Sequence, residues 1–170
     1  MATLVIGLGN PLLTDDGVGV LTARAVQDAL AAHPVPNVEV VEAGVGGLRL
    51  MELMVGCDRA ILIDAWTDAE LPPGAVRRLT LADLEAIRPP QHLASAHDAT
   101  LPTALAAGRR LGLKLPEDIV IIAVAVSNVT DFGETPTPPV LAAVPQAAAI
   151  VLAELRGAAE TQWQGPGVAQ

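Results

Sequence analysis

Three side chains in this chain are of the kind that hold a divalent metal ion or move a proton: Asp16, Asp64 and His97. Asp16 follows the apolar run Leu4-Val5-Ile6, in the segment Gly7-Leu8-Gly9-Asn10-Pro11-Leu12-Leu13-Thr14-Asp15-Asp16-Gly17-Val18-Gly19. Asp64 closes another apolar run, Ala60-Ile61-Leu62-Ile63, where a carboxylate needs a reason to be. His97 stands in a loop over residues 91–100, with His92 and Asp98. Two carboxylate oxygens and one imidazole nitrogen make a borderline donor set, able to take nickel, zinc or manganese. Three protein ligands leave open positions for water or a substrate atom. The three are far apart in sequence, unlike two histidines one helical turn apart, so only a fold can assemble them.

Each residue also has a plainer role. An acid between a strand and a helix is most often an N-cap, typically worth about 1 kcal/mol. Asp15 reads that way, capping a helix over 16–32, and Asp16 reads equally as cap or ligand. A lone histidine such as His97 is more often a surface or capping residue, and His33 reads as a favourable charge at a helix C-terminus. Glu42 ends a strand beside Gly44, Gly46 and Gly47. Those glycines permit positive φ or the close approach of an extended peptide.

Strand-like apolar runs alternate with segments of helical period. Strands are predicted over 2–8, 38–41, 59–63, 75–79 and 118–126. The fourth, with Arg77 and Arg78, reads as a more exposed edge. Helices are predicted over 16–32, 48–55, 81–87, 101–111 and 140–156. On the first, Val18, Leu21, Ala25 and Leu30 form the apolar face; on the last, Leu141, Val144, Ala148, Val151 and Leu155 do. The pattern gives a three-layer α/β/α sandwich with a mostly parallel sheet of about five strands. In such sheets the βα loops at the carboxyl ends of the strands carry the site, which groups the loops of Asp16, Asp64 and Glu42. The 170 residues suit one domain over 1–156, with an aperiodic tail over 157–170 that is expected to be mobile.

Composition removes several function classes. A net charge of −9 with no basic patch argues against nucleic acid and against anionic membranes. One cysteine, Cys57, leaves no intrachain disulfide and no paired-cysteine metal site. No N-terminal segment reads as a signal peptide or a spanning helix, so the cytoplasm is the expected compartment. Gly7 and Gly9 begin a dinucleotide fingerprint, but Leu12 takes the third glycine position. Asp15 and Asp16 would also repel a pyrophosphate from the helix start. There is no G-x-S-x-G elbow, and Cys57 lies away from the site loops.

The opening segment resembles the signature of the hydrogenase maturation endopeptidases, which trim the C-terminal tail of the NiFe-hydrogenase large-subunit precursor. The resemblance continues through Glu42-Ala43-Gly44, Asp64-Ala65, Ser95-Ala96-His97 and Gly133-Glu134-Thr135-Pro136, spanning nearly the whole domain. It implies a twisted five-stranded α/β/α fold of the phosphorylase/hydrolase-like kind. It implies that Asp16, Asp64 and His97 are the metal ligands and catalytic residues. Glu42, Gly44, Gly46 and Gly47 would help bind the substrate. The implied metal is the nickel already inserted in the precursor, with zinc or cadmium able to occupy the same ligands. The implied enzyme is a metal-dependent, aspartic-type endopeptidase, acting as a monomer on the precursor. Some positions depart from the family pattern: Asp16 where Glu is usual, Glu42 where Asp is common, Ala96 where Pro is frequent, and Trp66 after Asp64-Ala65. Two other functions use the same residues: a nickel-checking chaperone or binding module without cleavage, and a metallohydrolase of another peptide or amide.

Overall fold

The first apolar run is buried along its whole length because it pairs with a strand on each side. The computed structural model describes residues 1–86 and 100–162. In chain order the elements are β1 (Thr3–Leu8), a 3-10 turn (Thr14–Gly17), α1 (Val18–Ala32), β2 (Val38–Ala43), α2 (Gly47–Leu53), β3 (Arg59–Thr67), β4 (Val76–Thr80), α3 (Leu81–Ala86), α4 (Leu101–Arg110), β5 (Asp118–Val126) and α5 (Pro138–Gln162). The sheet order is β2-β1-β3-β5-β4. Four strands run parallel, and β4 lies antiparallel to β5 at the edge. The sheet and its two helical layers form the α/β/α sandwich expected from the alternation of elements.

Strand alternation divides the core in two. Leu4, Ile6, Leu62 and Ile121 pack with α2, α3 and α4 on one face. Val5, Ile61, Ile63 and Val120 pack with α1 and α5 on the other. From β1 the chain crosses through α1 to β2, then returns through α2 past β1 to β3. The strand order therefore reverses between β1 and β3, the place where open α/β sheets form their clefts. Gly19 lets α1 seat directly on those two strands. A β-carbon there would lie 2.2 Å from the Leu8 carbonyl oxygen and 2.4 Å from that of Ile63.

Several boundaries differ from the sequence expectation. β3 does not end at Asp64 but continues to Thr67, because β5 runs beside it and pairs Asp64 with Ala123 through to Thr67 with Val126. The buried stripe of α1 is Val18, Ala23 and Val26, with Leu21, Ala25 and Leu30 only half-buried. On α5, Val140, Ala143, Ala147 and Val151 face the core while Leu141 is exposed. That helix also runs on through Gly157 to Gln162, where the tail was expected to begin. α5 is long and apolar enough to cross a membrane by composition alone, yet its apolar stripe is spent on the sheet and α1.

A buried cation anchors the opposite, amino edge. Arg59 is 5% exposed. Its Nε donates to Asp118 (2.6 Å), and its guanidinium also donates to the Glu154 backbone carbonyl (2.8 Å) and carboxylate. Arg78 donates to the same carboxylate, so one network joins β3, β4, β5 and α5. The hydrogen bond from Arg78, and then that from Arg59, holds the Glu154 carboxyl below its usual range against the opposing effect of burial. A depressed carboxylate contributes stability that is present above its unfolded-state pKa and lost as pH falls through the folded value. Glu154→Gln is therefore expected to cost roughly 2 kcal/mol at neutral pH. The deficit should shrink as the medium is acidified below pH 4.5, the reference value from which the folded pKa is lowered. Urea denaturation across pH checks this: a deficit that stays constant into acid would contradict it.

Candidate active site

The loop after β1 is folded back on itself so that Asp16 returns to the strand end. Gly9 makes this possible. Its φ is +124°, and a β-carbon would lie 1.9 Å from the Asp16 carbonyl oxygen. The Asn10 N–H donates to Asp16 Oδ2 at 2.6 Å, and the Asp16 N–H donates to the Leu13 carbonyl at 2.9 Å. Asp16 is 1% exposed. The 3-10 turn that carries it lies against β3.

Asp64 is fully buried, and its Oδ1 accepts the Ala65 N–H at 2.9 Å. The alternation of β3 puts it on the face of Ala60, Leu62 and Trp66, the side of α2 and α4. Asp16 follows the end of β1, and Asp64 stands level with that end on the neighbouring β3, three residues before β3 finishes, across the point where the strand order reverses. Burial of two carboxylates costs several kcal/mol each unless hydrogen bonds and an opposite charge offset it.

The glycine turn after β2 reaches the same edge. A β-carbon on Gly44 would touch the Gly9 carbonyl oxygen at 3.7 Å, and the Gly9 N–H donates to the Ala43 carbonyl. Gly46 precedes α2 as its N-cap, and Gly47 is buried with φ +53°. Glu42 is placed differently from these glycines. It pairs in register with Gly7, and both its oxygens are taken by Arg24 of α1, at 2.8 Å and 2.9 Å. The Arg24 hydrogen bond holds the Glu42 carboxyl below its usual range. The pair is about half exposed, so it contributes little to stability.

His97 lies outside the described residues. Thr100, three positions later in the sequence, is the N-cap of α4, its hydroxyl accepting the Thr103 N–H at 3.4 Å. Since α4 leads into the parallel strand β5, its first turn sits at the carboxyl edge. Among the described residues no group of three His, Cys, Asp or Glu side chains forms a metal cluster. The donor chemistry still fits: two buried carboxylates suit a borderline divalent ion that takes an imidazole as its third protein ligand.

Asp15 does not cap α1, whose N-cap is Gly17 with no side-chain hydrogen bond. It is fully buried and accepts three backbone N–H groups from the far end of the chain: Thr137 at 2.6 Å, Asn128 at 3.1 Å and Ser127 at 3.3 Å. Its own N–H donates to the Asn128 carbonyl. Beside it, Leu13 and Gly133 form a parallel bridge, and the Thr14 hydroxyl donates to the Asp131 carbonyl. Asp15 is thus a clasp that fastens the β5–α5 loop onto the loop of Asp16. Pattern reading missed this role because the partners are over a hundred residues away; the late Gly133-Glu134-Thr135-Pro136 segment was its trace. Asp15→Ala leaves three N–H groups without their acceptor and is expected to cost about 3 kcal/mol. A chemical-denaturation midpoint within error of the parent would contradict the clasp.

Comparison with known proteins identifies the family and the fold. Residues 21–154 match the family model described as hydrogenase maturation protease. The chain is 32% identical over 158 residues to the hydrogenase 2 maturation protease of Escherichia coli, covering 92% of each chain. It is 32% identical over 138 residues to the hydrogenase expression/formation protein HupD of Bradyrhizobium diazoefficiens, covering 81% of this chain and 69% of that one. Among solved structures, the hydrogenase maturating endopeptidase HybD from E. coli superposes with a TM-score of 0.73 at 25% identity, covering 93% of this chain and 94% of that one. A maturation protease from Thermococcus kodakarensis superposes at 0.69 with 27% identity, covering 91% and 99%.

Proposed function

The chain belongs to the hydrogenase maturation protease family, and from that premise we propose that it removes the C-terminal extension of a nickel-loaded NiFe-hydrogenase large-subunit precursor. The observation that carries the reading is the pair of buried carboxylates, Asp16 just after β1 and Asp64 on β3 level with the end of β1. In this reading they and His97 are added ligands to the precursor's nickel. The metal belongs to the substrate, and a precursor without it brings no cation to these carboxylates. Discrimination then follows from charge: a nickel ion in the precursor is attracted by the two carboxylates, and a nickel-free precursor lacks that attraction.

The Asn10 and Ala65 N–H groups orient the two carboxylates. Asp16 is one methylene shorter than the glutamate usual in the family, and the tight turn around Gly9 holds it close to the strand end. The nickel supplies Lewis acidity at the scissile peptide. A site carboxylate would take a proton from water as the water oxygen bonds to the scissile carbonyl carbon, then return it to the nitrogen as the C–N bond breaks, so that the extension leaves with a free amine and the large subunit keeps the new carboxylate. The turn of Gly44, Gly46 and Gly47 presents backbone without side chains beside Gly9, a surface suited to an extended peptide. We place the activity in the cytoplasm and in a monomer.

Incubation with a purified large-subunit precursor tests the reading. Shortening from the C-terminus by the parent protein, and none by Asp16→Asn, is the expected result. A precursor that is bound but never shortened would move the protein to the nickel-checking chaperone reading.

A further inference from the structure

A cleft of about 310 Å³ opens beside the proposed site, between the first turns of α1 and the loop that leads into α5. Leu12 and Leu21 form its apolar lining, Arg24 and Glu134 its charged walls, and Thr14 and Gly17 the wall shared with Asp15 and Asp16. That volume is small for a cofactor and suits one or two side chains. Two residues before Glu134 in the chain is Phe132, the only phenylalanine of the sequence, 89% exposed, with Leu12 at 52%. Gly133, next to Phe132, is bonded to Leu12 and Thr14.

A phenyl ring this exposed gains almost nothing from folding. Yet the loop that presents it is held firmly, by the Asp15 clasp, the Leu13–Gly133 bridge and Asn128, whose side chain bonds the Asp131 N–H and carboxylate. An exposed aromatic group on a firmly held loop that also lines a cleft has the character of an interface anchor. The charges around it have one sign in excess. Arg24, the cation of the cleft, is already neutralised by Glu42, while Asp131 and Glu134 flank Phe132 in sequence and are exposed.

We propose that this cleft and the Phe132 loop beside it are a docking site for the protein substrate, taking an apolar side chain against Leu12 and Leu21, a second apolar contact on Phe132 and a basic neighbour against Asp131 and Glu134. It rests on the precursor-processing reading and adds the place and chemistry of recognition to it. The acidic rim favours a basic segment over an acidic one, and the shared wall places the docked segment next to the loop of Asp16. Arg24, whose guanidinium is paired with Glu42, is one charged wall of this cleft.

Steady-state cleavage of nickel-loaded precursor by the parent, Phe132→Ser and Glu134→Arg tests it. Both positions are exposed, and unchanged circular dichroism and melting confirm intact folds. The expected result is a KM raised about tenfold in each variant with kcat within about twofold. Added salt should raise the parent's KM and leave that of Glu134→Arg nearly flat. An unchanged KM in either variant overturns the docking site. So does a concentration-dependent dimer that Phe132→Ser abolishes, since a second copy would then be the occupant. Failure of the parent to cleave any precursor is a separate outcome that overturns the processing reading itself. Docking is then decided by precursor binding to the parent and to Phe132→Ser, equal affinity overturning it.

Discussion

Asp64→Asn is expected to fold normally and to lose at least about 10³-fold in precursor cleavage, on the order of 4 kcal/mol of transition-state stabilisation. The substitution is nearly isosteric. The amide oxygen can still accept the Ala65 N–H that Asp64 Oδ1 accepts at 2.9 Å. What disappears is a negative charge in a fully buried position, where low polarisability of the surroundings makes a charge matter most to a bound cation. His97→Ala should fall by a similar factor, since each removes one of three proposed ligands. Melting curves establish that the variants fold, and timed cleavage of a loaded precursor reads the loss. Parent-like cleavage by both folded variants would remove the assignment of these residues.

Gly9→Ala is expected to cost more than about 3 kcal/mol and to disable the site as well. Two effects add. A φ of +124° is outside what an alanine adopts without strain. The new β-carbon would also lie 1.9 Å from the Asp16 carbonyl oxygen, a backbone atom that can retreat only by moving the turn. Any relaxation therefore shifts Asp16 and the Asn10 N–H that orients it at 2.6 Å. Denaturation gives the stability loss and cleavage of loaded precursor the functional one. A variant as stable and active as the parent would show that the turn is not as drawn.

What could be read from the sequence was what depends on local pattern. The nine-residue strand β5 has the boundaries expected of it, because after Asp118 a strand covered on both faces leaves an unbroken apolar signature. β4 reads as an edge because Arg77 and Arg78 are exposed there. The shared edge of Asp16 and Asp64 followed from the alternation of strands and helices alone. What depends on distant partners was not legible. Asp15 looks like a cap in its local context and is a clasp only because Ser127, Asn128 and Thr137 arrive beside it. β3 looks finished at Asp64 until β5 extends its pairing to Thr67. The turn of α5 that faces the core depends on how the helix is set down against α1 and the sheet, which moves Leu141 outward and Val140 inward.

The central claim is that the two buried acids, with His97, read nickel in the substrate before cleavage. The most direct test is the intact mass of a cognate large-subunit precursor before and after incubation with this protein, in nickel-loaded and nickel-free forms. The account predicts loss of one C-terminal peptide from the loaded form and none from the nickel-free form. Equal shortening of both forms, or no shortening of a precursor shown to carry nickel, would contradict it.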